Sequence, residues 1–142
     1  MKWVTRERPK TDRIACPWLI RRFIDSDAEI LYVPRDQVLR VAEVEGARSF
    51  DAPDAEFTHR ANKCTFEVLL DRIALNDPAL RAIAEIIHDI DLRDSKFSRD
   101  EAVGIRTLID GIALTTPDDL ERIARGTEVF NNLYEVFGKK RQ

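Results

Sequence analysis

Apolar and polar positions follow two different rhythms along the 142-residue chain. As far as residue 51, short runs of β-formers alternate with longer mixed stretches. Residues 2–5, 29–33 and 48–51 predict three strands, the second closed by Pro34. Helical stretches near 17–25 and 36–45 lie between them, with Gly46 placed to stop the second. A β-α-β-α-β order favours a small parallel or mixed sheet.

From residue 65 the rhythm changes to that of helices alone. Phe66, Leu69, Leu70 and Ile73 form one i, i+3, i+4, i+7 stripe, and Leu80, Ile83, Ala84 and Ile87 form the next. Asn76-Asp77-Pro78 reads as the start of the helix over 79–91. Ser98 with Glu101 reads as a capping box for a helix near 99–114. Thr116-Pro117 opens one near 117–137, and Gly138 is placed to end it. Gly104 and Gly111 share a helix face and predict close packing there. The expected fold class is α+β, mostly helical. A small three-stranded β-α-β-α-β N-terminal half packs on a C-terminal bundle of about four helices. Each half is too small to fold well alone, so residues 1–142 are read as a single domain.

Composition narrows the function classes. The chain is 44% hydrophobic and 35% charged, the latter above the usual ~25%. Lys+Arg 23 against Asp+Glu 26 leaves a net charge of -3, which excludes a nucleic-acid binder working by bulk positive charge. The apolar fraction excludes an acidic disordered chain. No apolar run approaches the ~18 residues of a membrane span, and MKWVTRERPK has no apolar segment of a secretory signal. Two Cys are too few for a disulfide framework. A cytoplasmic protein is expected, with no membrane partner and no nucleic-acid partner for this domain alone. Self-association as a homo-oligomer stays open.

Several residues could carry chemistry. Pro17 at a first helical position places Cys16 at the N-cap, where the helix dipole favours thiolate. Cys16 also groups with Leu19, Ile20, Phe23 and Ile24, as a small buried hydrophobe does. Cys64 precedes Thr65-Phe66-Glu67 in the same way. Arg13, Arg21 and Arg22 flank the first helix; converging, they would make an oxyanion site. His59 lies in a loop, where functional polar residues concentrate. On the helix over 79–91, Asp91 falls on the apolar face and His88 at its edge, while Asp89 points away. A carboxylate on an apolar face is costly unless paired or ligated. His88 and Asp91, at i and i+3, can reach a common atom as metal ligands, or can form a hydrogen-bonded pair. With His59, Cys64 and Glu67 they would make a mixed N/O or N/O/S cation site. There is no HExxH or CxxC motif.

The run Thr5-Arg6-Glu7-Arg8-Pro9, followed by residues 12–25 (DRIACPWLIRRFID), resembles the C-terminal domain of the chromate-resistance ChrB family. Phe50-Asp51, His59, Cys64-Thr65-Phe66-Glu67, His88 with Asp91, and Glu101-Ala102-Val103-Gly104 agree, so the resemblance covers nearly the whole chain. It implies chromate resistance or chromate-responsive regulation. Full-length regulators of this type carry an additional N-terminal region, whereas the first strand here starts at Lys2. A DNA-binding role residing in that region is therefore not carried over.

Three functions are compatible with these residues. The leading one is metal or oxyanion handling: His59, Glu67, His88 and Asp91 would bind a divalent metal, zinc or iron, with Cys64 beside it as a ligand or redox thiol. Arg13 and Arg22 would hold an oxyanion ligand. The second is a thiol oxidoreductase acting on chromate or a related oxidant through Cys16. The third is a non-catalytic regulatory or interaction module.

Overall fold

A computed structural model describes residues 1–140. The elements in chain order are β1 (Lys2–Arg6), α1 (Thr11–Leu19), β2 (Glu29–Val33), α2 (Val38–Glu45), β3 (Arg48–Ser49), α3 (Thr65–Arg72), α4 (Pro78–Leu92), α5 (Glu101–Thr115) and α6 (Asp119–Lys140). The α+β, mostly helical architecture expected from the sequence is the observed one. The strands form a parallel sheet in the order β2-β1-β3, with Lys2 opposite Glu29 and Trp3 opposite Arg48. Among the described residues no helix is long and apolar enough to cross a membrane.

Alternation along β1 sends its side chains to two cores. Trp3 joins the main core, which runs from Ile30 of β2 through α1, α3 and α4 to Phe130 of α6. Val4 faces the other way and packs with Val38, Ala52 and Ala55. Trp18 is the aromatic hub of the main core. It stacks on Phe66 of α3 at 6.4 Å and meets Phe130 and Tyr134 of α6 at 5.9 and 6.1 Å. Its indole N–H donates to Asn131 at 2.7 Å. One cluster of rings therefore fixes α1, α3 and α6 to each other.

The first helix begins six residues earlier than Pro17 suggests. Pro17 lies inside α1 and Cys16 is an interior residue, not the N-cap. Past Leu19 the helix widens into a π-turn over Ile20–Ile24, closed by Asp25 N–H on the Ile20 carbonyl. The third strand is two residues long, and Phe50 makes only an isolated bridge to Phe57. The Ser98–Glu101 capping box does not form. The Ser98 hydroxyl donates to the Ser95 carbonyl, and Asp89 of α4 takes the Phe97 and Arg99 amides at 3.2 and 2.8 Å. Helix α6 continues through Gly138, and Cβ atoms at Gly104 and Gly111 would meet open space, so neither glycine serves close packing within the chain.

Gly126 is where close packing occurs. A Cβ there would overlap Cγ2 of Ile14, a fully buried, β-branched side chain of α1. Gly→Ala inside a helix ordinarily gains about 1 kcal/mol. Here the overlap outweighs that gain, because overpacking a tight core costs about 1–3 kcal/mol. Gly126→Ala is expected to lower stability in urea melts; an increase would show that α1 and α6 move apart freely.

Candidate functional site

The sheet order places β1 between two neighbours reached by connections on opposite sides. In open parallel sheets the crevice at such a switch point, beyond the carboxyl ends of the strands, is where ligands bind. Arg6 ends β1, and Asp51 lies two residues past the end of β3. These residues, the start of α1, the end of α4 and part of α5 line a cleft of about 340 Å³.

Three ligand-type residues converge in this cleft. Asp12, His59 and Asp91 each offer an atom within 4.8 Å of the others. Asp12 comes from the first turn of α1, Asp91 from the last turn of α4 and His59 from the loop after β3. Asp12 is buried and fastened to the N-terminus of α3. Its carboxylate accepts the Thr65 and Phe66 amides at 3.0 and 3.1 Å and the Cys16 S–H at 3.5 Å. A helix N-terminus leaves such amides without intrahelical partners, and a carboxylate suits them in geometry and charge.

The carboxylates are crowded. Burial pushes the Asp12 carboxyl well above its usual range, and the charges of Asp91 and Asp51 push it further. Burial also raises Asp91, opposed by its hydrogen bond with Asp12. Two acids in this arrangement hold a proton between them or share a cation. Asp51 stands alongside. It accepts the Thr65 hydroxyl at 2.8 Å and lies 3.6 Å from Arg6 and 3.7 Å from Arg13.

Around the acids stand Arg6, Lys10, Arg13, Arg93 and Arg106. The Arg13 Nε is buried and has no acceptor among the described residues. Burial lowers the Arg13 pKa, opposed by Asp51; an arginine nevertheless stays charged at neutral pH. The cleft thus combines an acidic floor with basic walls and a spare guanidinium donor.

Glu67 and His88 form a second group. His88 is fully buried, with Nδ1 2.5 Å from Glu67 Oε1 and Nε2 3.0 Å from Asp94. The same Glu67 oxygen accepts the Cys64 amide at 3.0 Å. Both ring nitrogens of His88 are therefore occupied by carboxylates. The structure brings His59 and Asp91 together, adds Asp12, and sets Glu67 with His88 beside them in an ion-paired cluster.

Arg22 sits elsewhere. It donates to Asn131 at 2.9 Å, lies over the Tyr134 ring at 4.6 Å, and lines a cleft between the π-turn and α6. The two thiols are fully buried. Burial raises the Cys16 pKa well above the free value, and Asp12 and Asp51 add to it; burial likewise raises Cys64. Cys16 has no helix-terminal amides to favour a thiolate, because α1 begins at Thr11.

Asp12, Asp51 and Asp94 were not legible as site residues. Asp12 acts through α3, 53 positions away in sequence. Its one local signal is the Thr11-Asp12 pair opening an apolar run, which also marks the true start of α1.

No solved structure matches the chain. The chain is 33% identical over 142 residues to Protein ChrB of Cupriavidus metallidurans, an alignment covering 99% of this chain and 42% of that protein. It thus spans less than half the length of this relative. The family model for the ChrB C-terminal domain matches residues 3–137, and the chain belongs to that family.

Proposed function

We propose that this domain binds one divalent metal ion at Asp12, His59 and Asp91 and takes an oxyanion beside it, as a metal- or oxyanion-handling module of the chromate-resistance type. The observation that carries the reading is the convergence of these three side chains in the cleft at the strand ends. The donor set fits. An imidazole and two carboxylates suit zinc or iron(II), and the open side of the cleft leaves coordination positions for water or a ligand. The crowded acids supply the reason for a cation: it would replace the shared proton and relieve the repulsion between Asp12 and Asp91.

The surrounding charges favour an anion as the second ligand. Five Arg and Lys side chains face four Asp in the cleft, so a divalent ion would leave a positive surplus of three. Arg13 Nε is a buried donor in need of an acceptor, and a guanidinium is suited to oxyanions. In this reading Arg6 and Arg13 orient the anion, Asp12 and Asp91 fix the cation, and His59 supplies its one nitrogen ligand.

Chelator-stripped protein titrated with zinc or iron(II) in a calorimeter tests the assignment. One equivalent should bind to the wild type, and His59→Ala should weaken it at least tenfold. Binding of less than a tenth of an equivalent, or equal binding by His59→Ala, sinks the assignment.

A further inference from the structure

Arg21 and Arg22 flank the first helix in sequence, and the fold puts neither of them in the cation cleft. Both stand in the π-turn over Ile20–Ile24, a rare helical distortion that recurs at functional sites. With Pro17 and Trp18 of α1 they form one wall of a cleft of about 490 Å³, and the first three turns of α6 form the other. That volume lies within the usual range for small-molecule pockets, ~300–1,000 Å³. The cleft shares no lining residue with the one at the strand ends.

The polar groups of this second cleft come from Arg21, Arg22, Thr127 and Asn131, and no carboxylate lines it. Asn131 fixes the pattern. Its side-chain oxygen accepts both the Trp18 indole N–H at 2.7 Å and Arg22 Nη1 at 2.9 Å, which fills its two lone pairs. The Asn131 amide nitrogen is thus left as a donor, with no acceptor among the described residues. Arg21 spends Nε on the Ala28 carbonyl at 3.2 Å, and its two terminal nitrogens have no acceptor there either. Arg22 is held in place by more than Asn131. Its guanidinium lies over the Tyr134 and Phe23 rings at 4.6 and 5.6 Å, and a stacked, pre-placed fork loses little freedom when it takes a ligand. Its one acidic partner, Glu135 at 3.5 Å, is 67% exposed and outside the lining. The rest of the lining is apolar. Trp18 and Ile123 are buried, whereas Leu120, at 62% exposure, is a large apolar side chain left in water.

We propose that this cleft is a second ligand site, for a small organic anion: a carboxylate on an apolar body. Arg21, Arg22 and the Asn131 amide take the carboxylate, and Trp18, Leu120 and Ile123 take the body. Unspent charged donors facing no lining acid call for an anionic acceptor. Glu135 already offsets part of the Arg22 charge, so the single charge of a carboxylate balances the cleft. A bare inorganic anion would leave the apolar half of the lining wet. The site stands independently of the cation-site reading.

The test is an NMR titration of the purified chain at pH 7 with octanoate, octanol and inorganic phosphate, followed at the indole N–H signals of its two Trp. Trp18 donates to Asn131 within the cleft, whereas Trp3 donates to Asp25 outside it and is the internal control. Octanoate should move the Trp18 signal saturably, with a Kd of about 1 mM or tighter, and leave Trp3 in place. Octanol has the same body without the charge, and phosphate has charge without the body; each should bind about tenfold more weakly or worse. Arg21→Gln and Arg22→Gln should each weaken octanoate by about tenfold. No saturable Trp18 shift up to about 10 mM octanoate overturns the proposal, as ligands of this size reach that affinity in a fitted pocket. Octanol binding as tightly as octanoate overturns the anion half of it, and phosphate binding as tightly overturns the apolar half. Two arginine variants that bind octanoate like the wild type overturn the assignment of the head group. The three probes are compared on the unaltered chain, so the outcome does not depend on either variant folding.

Discussion

Asp91→Asn is expected to make the metal-free domain more stable at neutral pH and to abolish its stabilisation by zinc. The first effect follows from the crowding of Asp12 and Asp91, whose carboxyls are both raised by burial. A carboxyl with a raised folded-state pKa binds its proton more tightly in the native state. Stability is therefore lost as pH rises from about 4, the unfolded value, through the raised one. An amide at 91 has no charge to repel Asp12 and can donate to it. Like charges about 4 Å apart near a protein surface repel by up to about 4 kcal/mol. A proton held between two raised carboxyls would offset part of this, so a gain on the order of 1 kcal/mol at pH 7 is expected. The second effect is larger. Zinc at a hundred times its dissociation constant should stabilise the wild type by about 2.7 kcal/mol, and the variant hardly at all. Urea melts with and without zinc at pH 7 measure both. A metal-free variant weaker than wild type would refute the repulsion; an undiminished zinc effect would remove Asp91 from the ligand set.

A change that stabilises the protein while removing binding is the usual mark of a site held in place by the rest of the fold. Most of what holds it was legible in the sequence only as secondary structure. The stripes Phe66-Leu69-Leu70-Ile73 and Leu80-Ile83-Ala84-Ile87 mark α3 and α4 because periodicity is local. The start of α1 is obscured by Pro17, whose preference for the first helical turn points to a start six residues too late. That displacement carried Cys16 to a helix terminus it does not occupy. His88 is fully buried rather than at the edge of its face, because Ile86 and Ile90 widen the apolar side of α4. His59 and Asp91 stood out as a loop histidine and a carboxylate on an apolar stripe. Their convergence with Asp12 could not be read, since it depends on α1, α4 and the loop after β3 meeting at the strand ends. Asp94 lies just past the end of α4, and no local pattern in the sequence ties it to the His88 ring that it meets in the fold.

Asp12→Ala should destabilise the domain more than any other single change in the cleft. The carboxylate of Asp12 is the acceptor for two buried amides and one buried thiol. Alanine leaves the Thr65 and Phe66 amides without their acceptor, in residues with no exposed surface. A buried donor without an acceptor costs about 1–3 kcal/mol, so two cost on the order of 3 kcal/mol even if water repairs part of the loss. Relief of the repulsion with Asp91 offsets only about 1 kcal/mol. The net loss is a large part of the roughly 5–15 kcal/mol that a domain possesses. Asp12→Asn should lose less, because its one carbonyl oxygen still accepts an amide, yet it should lose zinc binding as completely as alanine does. Urea melts give the stability, and hydrogen exchange at Thr65 and Phe66 gives the cause. Both amides should exchange faster in Asp12→Ala relative to the rest of α3. A loss under 1 kcal/mol with both amides still protected would mean that α3 keeps its own N-terminus and that Asp12 serves the cleft alone.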